Sequence, residues 1–452
     1  MAQESPTLKL HQLLLISPPQ DTSPTSLSFT FFDVLWLRFR PVERLFFYEL
    51  PNSTISFFDT ILPNLKHSLS LTLQHFLPLA GTITWPLHSP LPSITYTPGN
   101  SITFTIAESN ADFTTISESN HRHHLIPHLS ISHDQASVLA LQLTLFPNQG
   151  FCIGITSHHA ALDGKSSTLF IKSWAHLCSH LKDSHSPPPQ QQLPKHLTPS
   201  FDRSTIKDPS GIGEVYANSW LSFGGETNNR SLQVLESLSE TETDLVKGVF
   251  VLTADNIKKL KNLVQSKVVE KNKVRVTSFS VTCGYVVWCA VRVGEGEGEG
   301  ERVVFVFTVD CRSRLEDPVE GTYFGNCVVP RLVEVKREEV LGDEGFVKCV
   351  EGISEELKEV EGGVLSGVKE WFLKIQSVMG ERLFSVAGSP RFEVYGVDFG
   401  WGRPRRVDVP SVDKTGAFSL SESRDDGGGI EIGLALNKDR MEKFKTFFYQ
   451  GI

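Results

Sequence analysis

The run ITSHHAALDGKS, residues 155–166, sets two histidines side by side and follows the second, His159, with an aspartate four residues on, Asp163. A neutral imidazole with an ordinary pKa near 6.5 can take a proton from a hydroxyl at physiological pH. The preceding FCIGIT (151–156) is apolar and β-branched, so the pair stands at the exit of a strand, where reactive side chains are commonly presented. Gly164 after Asp163 permits a tight turn, and Asp163 either fixes that turn or orients a ring. Three readings stand on the residues alone: a general base, a hydrogen-bonded structural pair, or a metal site. The metal reading has only His158, His159 and Asp163 as local donors. No Cys or Glu completes a set at usual spacing, so no metal is expected.

Three further stretches could bear on chemistry. In VDFGWGRP (397–404), Gly400 and Gly402 flank Trp401. This is either a loop that approaches a ligand closely, with Trp401 as wall or indole N–H donor, or a glycine bend anchored by a tryptophan. In DCRSRL (310–315), Arg312 or Arg314 could pair with a buried carboxylate such as Asp398, shaping a site rather than reacting in it. In YFGNC (323–327), Gly325-Asn326 reads as a turn. A second histidine cluster, His121, His123 and His124 in HRHH, reads as a solvated polar loop. All fifteen histidines lie between His11 and His196, so any histidine chemistry belongs to the N-terminal part.

The elements that must position these residues alternate strands and helices. Residues 55–76 carry apolar positions at helical spacing, ended by Pro78 and Gly81. SITYTPGNSITFTIAES (93–109) predicts a hairpin about Pro98-Gly99-Asn100, and residues 137–156 predict a second about 147–150. Residues 166–181 predict a helix with Ser166 or Ser167 as cap. KDSHSPPPQQQLPKHLTP (182–199) reads as a linker, because its Pro and Gln runs cannot pack a core. Beyond it follow a strand (247–253), a helix (254–268), a long apolar helix (277–293), an acidic glycine-rich loop (294–301), a buried strand through Val309, a helix through 362–379 and a strand at 391–404.

A length of 452 residues implies two domains. Apolar residues at 40% and charged residues at 21% give an ordinary globular balance. The net charge of −9 and the lack of a Lys/Arg block leave no footprint for nucleic acid. No signal peptide or membrane-length apolar run is visible, and the seven cysteines are odd in number without CxxC. The expectation is a cytoplasmic protein with reduced thiols, binding neither membrane nor nucleic acid.

Taken together, the motifs resemble the plant BAHD acyltransferases, which use coenzyme A thioesters. H-x-x-x-D appears as His159 to Asp163, and D-F-G-W-G as Asp398-Phe399-Gly400-Trp401-Gly402, in the family's order and spacing over essentially the whole chain. YFGNC and TFFDVLWLRFRPVERLFFYEL (30–50) resemble the subgroup that acylates anthocyanin, flavonoid and other phenolic glycosides, often with malonyl-CoA. The resemblance implies an α/β fold of two similar-sized chloramphenicol-acetyltransferase-like domains with an active-site channel between them. The expected division is an N-terminal domain (1–181), a crossover (182–200) and a C-terminal domain (201–452), with a segment near 345–390 packing against the first domain.

By resemblance, His159 is the general base acting on a sugar hydroxyl, the glucose 6-hydroxyl. Asp398 is the family's second catalytic assignment, though it reads better as a partner of Arg312. Asp163, Gly164, Arg312, Gly400 and Gly402 support the site, with Asp163 holding its loop through an ion pair. Trp401 is an oxyanion donor or substrate wall. Coenzyme A contacts fall on Lys261, Thr277 and Ser278. The co-substrate is an acyl-CoA, malonyl-CoA by subgroup, with no bound cofactor; the acceptor is a phenolic or flavonoid glycoside, and the protein is a monomer. Some family members carry an arginine eight residues after the histidine, where this chain has Ser167, so an aromatic or acetyl donor is the alternative. Arg38, Arg40 and Arg44 could face an anionic donor or solvent. Two other classes remain: a condensation or chloramphenicol-acetyltransferase type, which shares HHxxxDG but lacks DFGWG here, and a non-catalytic ligand-binding relative.

Overall fold

The computed structural model describes residues 7–50, 57–118, 122–183, 192–225, 227–235, 245–268, 274–294, 300–378, 383–413 and 415–452. The chain forms two compact α/β units. The first comprises residues 1–236, 317–327 and 394–411; the second comprises 237–316, 328–393 and 412–452. The expected boundary at 182–200 is therefore displaced. Residues 184–191 of that stretch lie outside the described part. Its described end belongs to the first unit, with Leu193 and Leu197 buried and Ser200 bridged to Tyr323. The segments that return to the first unit are 317–327 and 394–411, whereas 345–390 stays with the second.

In the first unit a six-stranded sheet runs in the order Leu8–Ile16, Ile102–Ser109, Leu139–Phe146, Gly150–Ser157, Val42–Glu49, Arg406–Asp408. Leu139–Phe146 and Gly150–Ser157 form the expected hairpin, antiparallel with Leu139 opposite Ser157. Asn148 takes a φ of 60° in its turn, a conformation asparagine tolerates. Every residue of both strands is buried, which explains why they read as continuous apolar runs instead of alternating ones. The other expected hairpin does not form. The Pro-Gly turn is present, closed by Asn100 N–H to the Thr97 carbonyl at 2.9 Å, but its strands part. Ser93–Tyr96 joins a four-stranded sheet with Thr25–Ser28 and Thr82–Thr84, while Ile102–Ser109 pairs with Leu8–Ile16 and, in parallel, with Leu139–Phe146. Alternation predicts strands; it does not say which partner each strand takes.

Helices Leu62–His75 and Gly164–Asp183 pack together, with Trp174 fully buried and its indole N–H donating to Ser68 Oγ at 3.0 Å. Residues 55 and 56 of the predicted first helix lie outside the described part. The cap of Gly164–Asp183 is Asp163, whose Oδ1 accepts the Ser166 amide at 2.9 Å, and not Ser166 or Ser167. An aspartate one position before the helix competes better for that amide than a serine already inside it.

The second unit carries a six-stranded sheet in the order Leu245–Leu252, Ile430–Asn437, Ala417–Glu422, Leu383–Gly388, Arg302–Asp310, Val328–Lys336. Helices Ala254–Lys267 and Ser278–Arg292 begin with complete capping boxes at Thr253 and Thr277. Gly345–Gly362 forms an 18-residue helix, and the predicted helix over 362–379 shrinks to Trp371–Ser377 after a turn at Gly363 and Gly367, both at positive φ. The predicted strand over 391–404 is instead two short 3-10 turns, Pro390–Phe392 and Val394–Gly396, leading into the glycine turn. Among the described residues, no helix is long and apolar enough to cross a membrane.

Candidate active site

The sheet places His158 and His159 directly after Ser157, the last residue of the central strand. The His158 amide donates to the Val138 carbonyl (2.9 Å) and the Ala161 amide to the His158 carbonyl (3.0 Å), which folds the chain into a tight turn. Asp163 closes it from both sides: Oδ1 accepts Ser166 N–H, and Oδ2 accepts Cys327 N–H at 3.1 Å. Ser166 Oγ accepts the Gly325 amide at 3.1 Å and donates to the Gly325 carbonyl at 2.9 Å. The loop 158–166 is thus laced to YFGNC, which belongs to the same unit. Gly325 has a φ of +149°, and a Cβ there would lie 2.3 Å from Arg203 Nη1, so the position requires glycine.

The His159 ring lies flat on Trp36, centroids 4.6 Å apart and planes 15° apart, with Phe39 edge-on at 6.0 Å. Its Nδ1 is buried with no hydrogen-bond partner from another residue, while the residue as a whole is only half-buried. The accessible edge of the ring is therefore the one carrying Nε2. Burial lowers the His159 pKa to about 4, opposed by its own carbonyl and by Asp163. Burial, then the neighbouring His159, lowers His158 to about 3. His158 Nδ1 accepts the Ala160 amide at 3.3 Å, so Nε2 holds the proton of that neutral ring, and His158 is structural. His159 is a neutral imidazole with one nitrogen open, which is the form a general base requires.

The turn at 397–402 has a different character and place. Asp398 is exposed, and its Oδ1 accepts the amides of Gly400 (2.7 Å) and Gly402 (2.9 Å). Those glycines take φ of 94° and 104°, which an L side chain adopts only with strain. Phe399 is fully buried against Trp174 (4.9 Å) and Tyr48 (5.8 Å), and the Tyr48 hydroxyl donates to the Val397 carbonyl at 3.1 Å. Trp401 stands edge-on to Phe151 at 6.5 Å. Phe151 is the second residue of the strand that ends at Ser157, so about 20 Å of strand separates it from the histidine end. The expected roles of Trp401 as oxyanion donor or substrate wall, and of Asp398 as a catalytic residue, find no support in this geometry. Both hold a glycine turn at the far end of the sheet from His159.

Arg312, the partner expected for Asp398, has a local bond of its own. Arg312, buried in the second unit, bonds Asp310 at 3.0 Å. Lys261, half-buried on its helix, and Thr277 and Ser278 lie in the second unit as well. Thr277 Oγ1 accepts the Ser280 amide at 3.0 Å and so caps its own helix. Arg38 is buried and donates to the Ser231 carbonyl (2.9 Å) and Asn229 Oδ1 (2.7 Å); Arg44 donates to Thr168 Oγ1 (2.7 Å) and the Gly164 carbonyl (3.3 Å). Arg40 alone of the three is exposed. In HRHH, His121 lies outside the described residues. His123 is exposed and His124 half-buried, whereas Arg122 between the histidines is fully buried in an ion pair with Asp408 at 2.5 Å.

All seven cysteines are free and buried, and burial lifts the thiols of Cys311 and Cys349 to about 12. Burial also raises Cys152, Cys283 and Cys289, the reverse of the depressed pKa of a nucleophilic thiol. The site residues that sequence reasoning missed are Asp33, Trp36 and Asn326. Asn326 Nδ2 donates to the His159 carbonyl at 3.1 Å, and its backbone amide donates to Asp33 Oδ1 at 2.9 Å. An acid inside the apolar run TFFDVLW was the available signal, because a buried carboxylate needs donors.

A profile of the Transferase family matches residues 8–450. Phenolic glucoside malonyltransferase 1 of Arabidopsis thaliana is 37% identical, over 99% of this chain and 98% of its own length. Malonyl-CoA:anthocyanidin 5-O-glucoside-6''-O-malonyltransferase of the same plant is 38% identical over the whole of both chains. Its agmatine coumaroyltransferase is 36% identical over 98% and 99%. Among solved structures, vinorine synthase superposes with a TM-score of 0.71 at 20% identity, covering 99% of this chain and 98% of its own. TRI101 of F. sporotrichioides, solved with coenzyme A and T-2, superposes with 0.65 at 14%, covering 94% and 97%. At those identities the two structures speak for the α/β fold alone.

Proposed function

The chain belongs to the BAHD transferase family of acyltransferases, and from that premise we propose that it moves a malonyl group from malonyl-CoA to a sugar hydroxyl, the glucose 6-hydroxyl, of a phenolic or flavonoid glycoside. The observation that carries this reading is His159, a neutral ring held against Trp36 with Nε2 on its accessible edge. Nε2 takes the hydroxyl proton as the sugar oxygen attacks the thioester carbonyl. The tetrahedral intermediate then collapses, the carbon–sulfur bond breaks, and the departing coenzyme A thiolate takes the proton back from the imidazolium. The thioester enters as co-substrate, and no acyl-enzyme is needed. Lys261, Thr277 and Ser278 are the proposed coenzyme A contacts, supported by the helix N-terminus at Ser278. The protein is proposed to act as a cytoplasmic monomer, in keeping with its seven free cysteines.

A coumaroyl donor is the second reading. It is favoured by Ser167, buried where some family members carry an arginine, and by the aromatic wall of Trp36 and Phe39 beside the base. Purified protein with a glucosylated flavonoid and, separately, malonyl-, acetyl- or coumaroyl-CoA decides between them by product mass. A malonylated product alone is expected; a coumaroylated product alone overturns the donor assignment. His159→Ala is expected to lower turnover by about 10²-fold or more while the protein stays folded. Turnover as in the parent protein would remove His159 from the chemistry. In the parent protein kcat/KM is expected to fall only as the pH drops towards about 4, where the ring protonates and can no longer accept.

A further inference from the structure

A histidine base is usually oriented by a group bonded to its second nitrogen. Here the group that acts on it is the residue's own carbonyl, and no other residue bonds it. The two Asp163 oxygens accept the amides of Ser166 and Cys327. Trp36 fixes the plane of the ring, but a stack leaves rotation within that plane and movement of the backbone beneath it unconstrained. The hold must come through the His159 peptide.

Asp33 supplies it from the other side of the sequence. The residue is fully buried. Its Oδ2 accepts the Thr30 amide (2.8 Å) and hydroxyl (2.9 Å), which completes the local helix start. Its Oδ1 is not needed for that start. It accepts the Asn326 backbone amide at 2.9 Å and faces Asn326 Nδ2 at 3.3 Å. The same Nδ2 donates to the His159 carbonyl at 3.1 Å. Arg203 Nη2, 3.9 Å from Asp33 Oδ2, is the cation beside the carboxylate, and its Nη1 donates to the Phe324 carbonyl at 2.7 Å. Asn326 is itself fully buried, so neither amide nor carboxylate has water as an alternative partner.

We propose that Asp33 and Asn326 are positioning residues for the base: the carboxylate locks the amide, and the amide fixes the His159 peptide so that the ring presents Nε2 to the acceptor hydroxyl. The proposal rests on the reading of His159 as the base. It also gives one physical reason for two motifs 293 residues apart to occur in one chain: the acid of TFFDVLW and the asparagine of YFGNC are the two halves of a single clamp.

The test is steady-state kinetics on Asn326→Ala and Asp33→Asn, each checked for a cooperative melt. Misplacing a reacting group by about 1 Å costs up to ~10²-fold, so Asn326→Ala is expected to lower kcat by about 10- to 100-fold with the KM for acyl-CoA within about threefold. Asp33→Asn keeps an oxygen for the Asn326 amide and is expected to lose less. In both variants the acid limb of kcat/KM is expected to rise from about 4 towards the ordinary histidine value as the loosened ring meets water. Asp163 and His158 are the titratable groups that act on that ring, and neither variant alters them. Lower folded yield with an unmoved limb and unchanged kcat per folded molecule would overturn the proposal. If Asn326→Ala does not fold, Asn326→Ser and Asp33→Asn carry the same test with the same expected shifts. Activity in His159→Ala would instead sink the reading of the base and leave the clamp without a purpose.

Discussion

The loops at 158–166 and 397–402 were equally legible as motifs, and each is organised by a carboxylate that accepts two backbone amides. Asp163 takes those of Ser166 and Cys327; Asp398 takes those of Gly400 and Gly402. Their consequences differ because their surroundings differ. Asp163 is buried, reaches a segment distant in sequence, and stands four residues from a titratable ring with an open nitrogen. Asp398 is exposed and closes a turn on itself, at the opposite end of the strand Gly150–Ser157. Agreement with a family motif says that a residue is needed. Burial and distance say for what.

The same substitution in both loops tests this contrast. Asp163→Ala is expected to have the larger effect. It removes a helix cap worth about 1 kcal/mol and leaves the buried Cys327 amide unpaired at a cost of about 1–3 kcal/mol. Because His159 hangs from the same turn, kcat per folded molecule is expected to fall by at least about 10-fold. Thermal unfolding and kinetics on one preparation read both numbers. A destabilised variant with undiminished kcat would show that the turn holds the fold but not the base.

Much of this site could be read from the chain. His159, Asp163 and the strand before them follow from an apolar run ending in HH and DG, and the hairpin Leu139–Ser157 from two such runs about a turn. What escaped was pairing over long separations. Ser93–Tyr96 and Ile102–Ser109 look like one hairpin, yet they enter different sheets, because local alternation carries no address for the partner strand. Asp33 and Asn326 escaped for the same reason: each has an ordinary local role, as a capping acid and as a turn residue, and only the fold shows the bond between them. The division into units escaped because a polar, proline-rich run resembles a linker whether or not the core changes there. The packing of Trp401 on Phe151 was not legible, because an indole beside two glycines suits a ligand wall as well as it suits such packing.

Asp398→Ala is the second arm of the comparison and has a smaller expected effect. Its bonds are charge-assisted but exposed, so about 1 kcal/mol of stability is expected to be lost as Gly400 and Gly402 give up their anchor. Turnover per folded molecule is expected to stay within about threefold of the parent, since about 20 Å of strand lies between this turn and the base. A folded Asp398→Ala protein with turnover reduced as far as in Asp163→Ala would restore a catalytic role for the motif and refute the distance argument.

The smallest change sharpens the same point from the strand's side. Tyr48→Phe deletes one hydroxyl, which donates to the Val397 carbonyl at 3.1 Å in a fully buried setting. Removing one neutral buried bond and leaving its acceptor unpaired costs about 1 kcal/mol. The ring that packs on Phe151 and Phe399 remains, so the sheet keeps its shape. The expected outcome is a melting temperature a few degrees lower with kcat and KM unchanged. If kcat falls while the melt does not move, the start of the strand communicates with its histidine end. The two loops would then belong to one mechanical element instead of two independent ones.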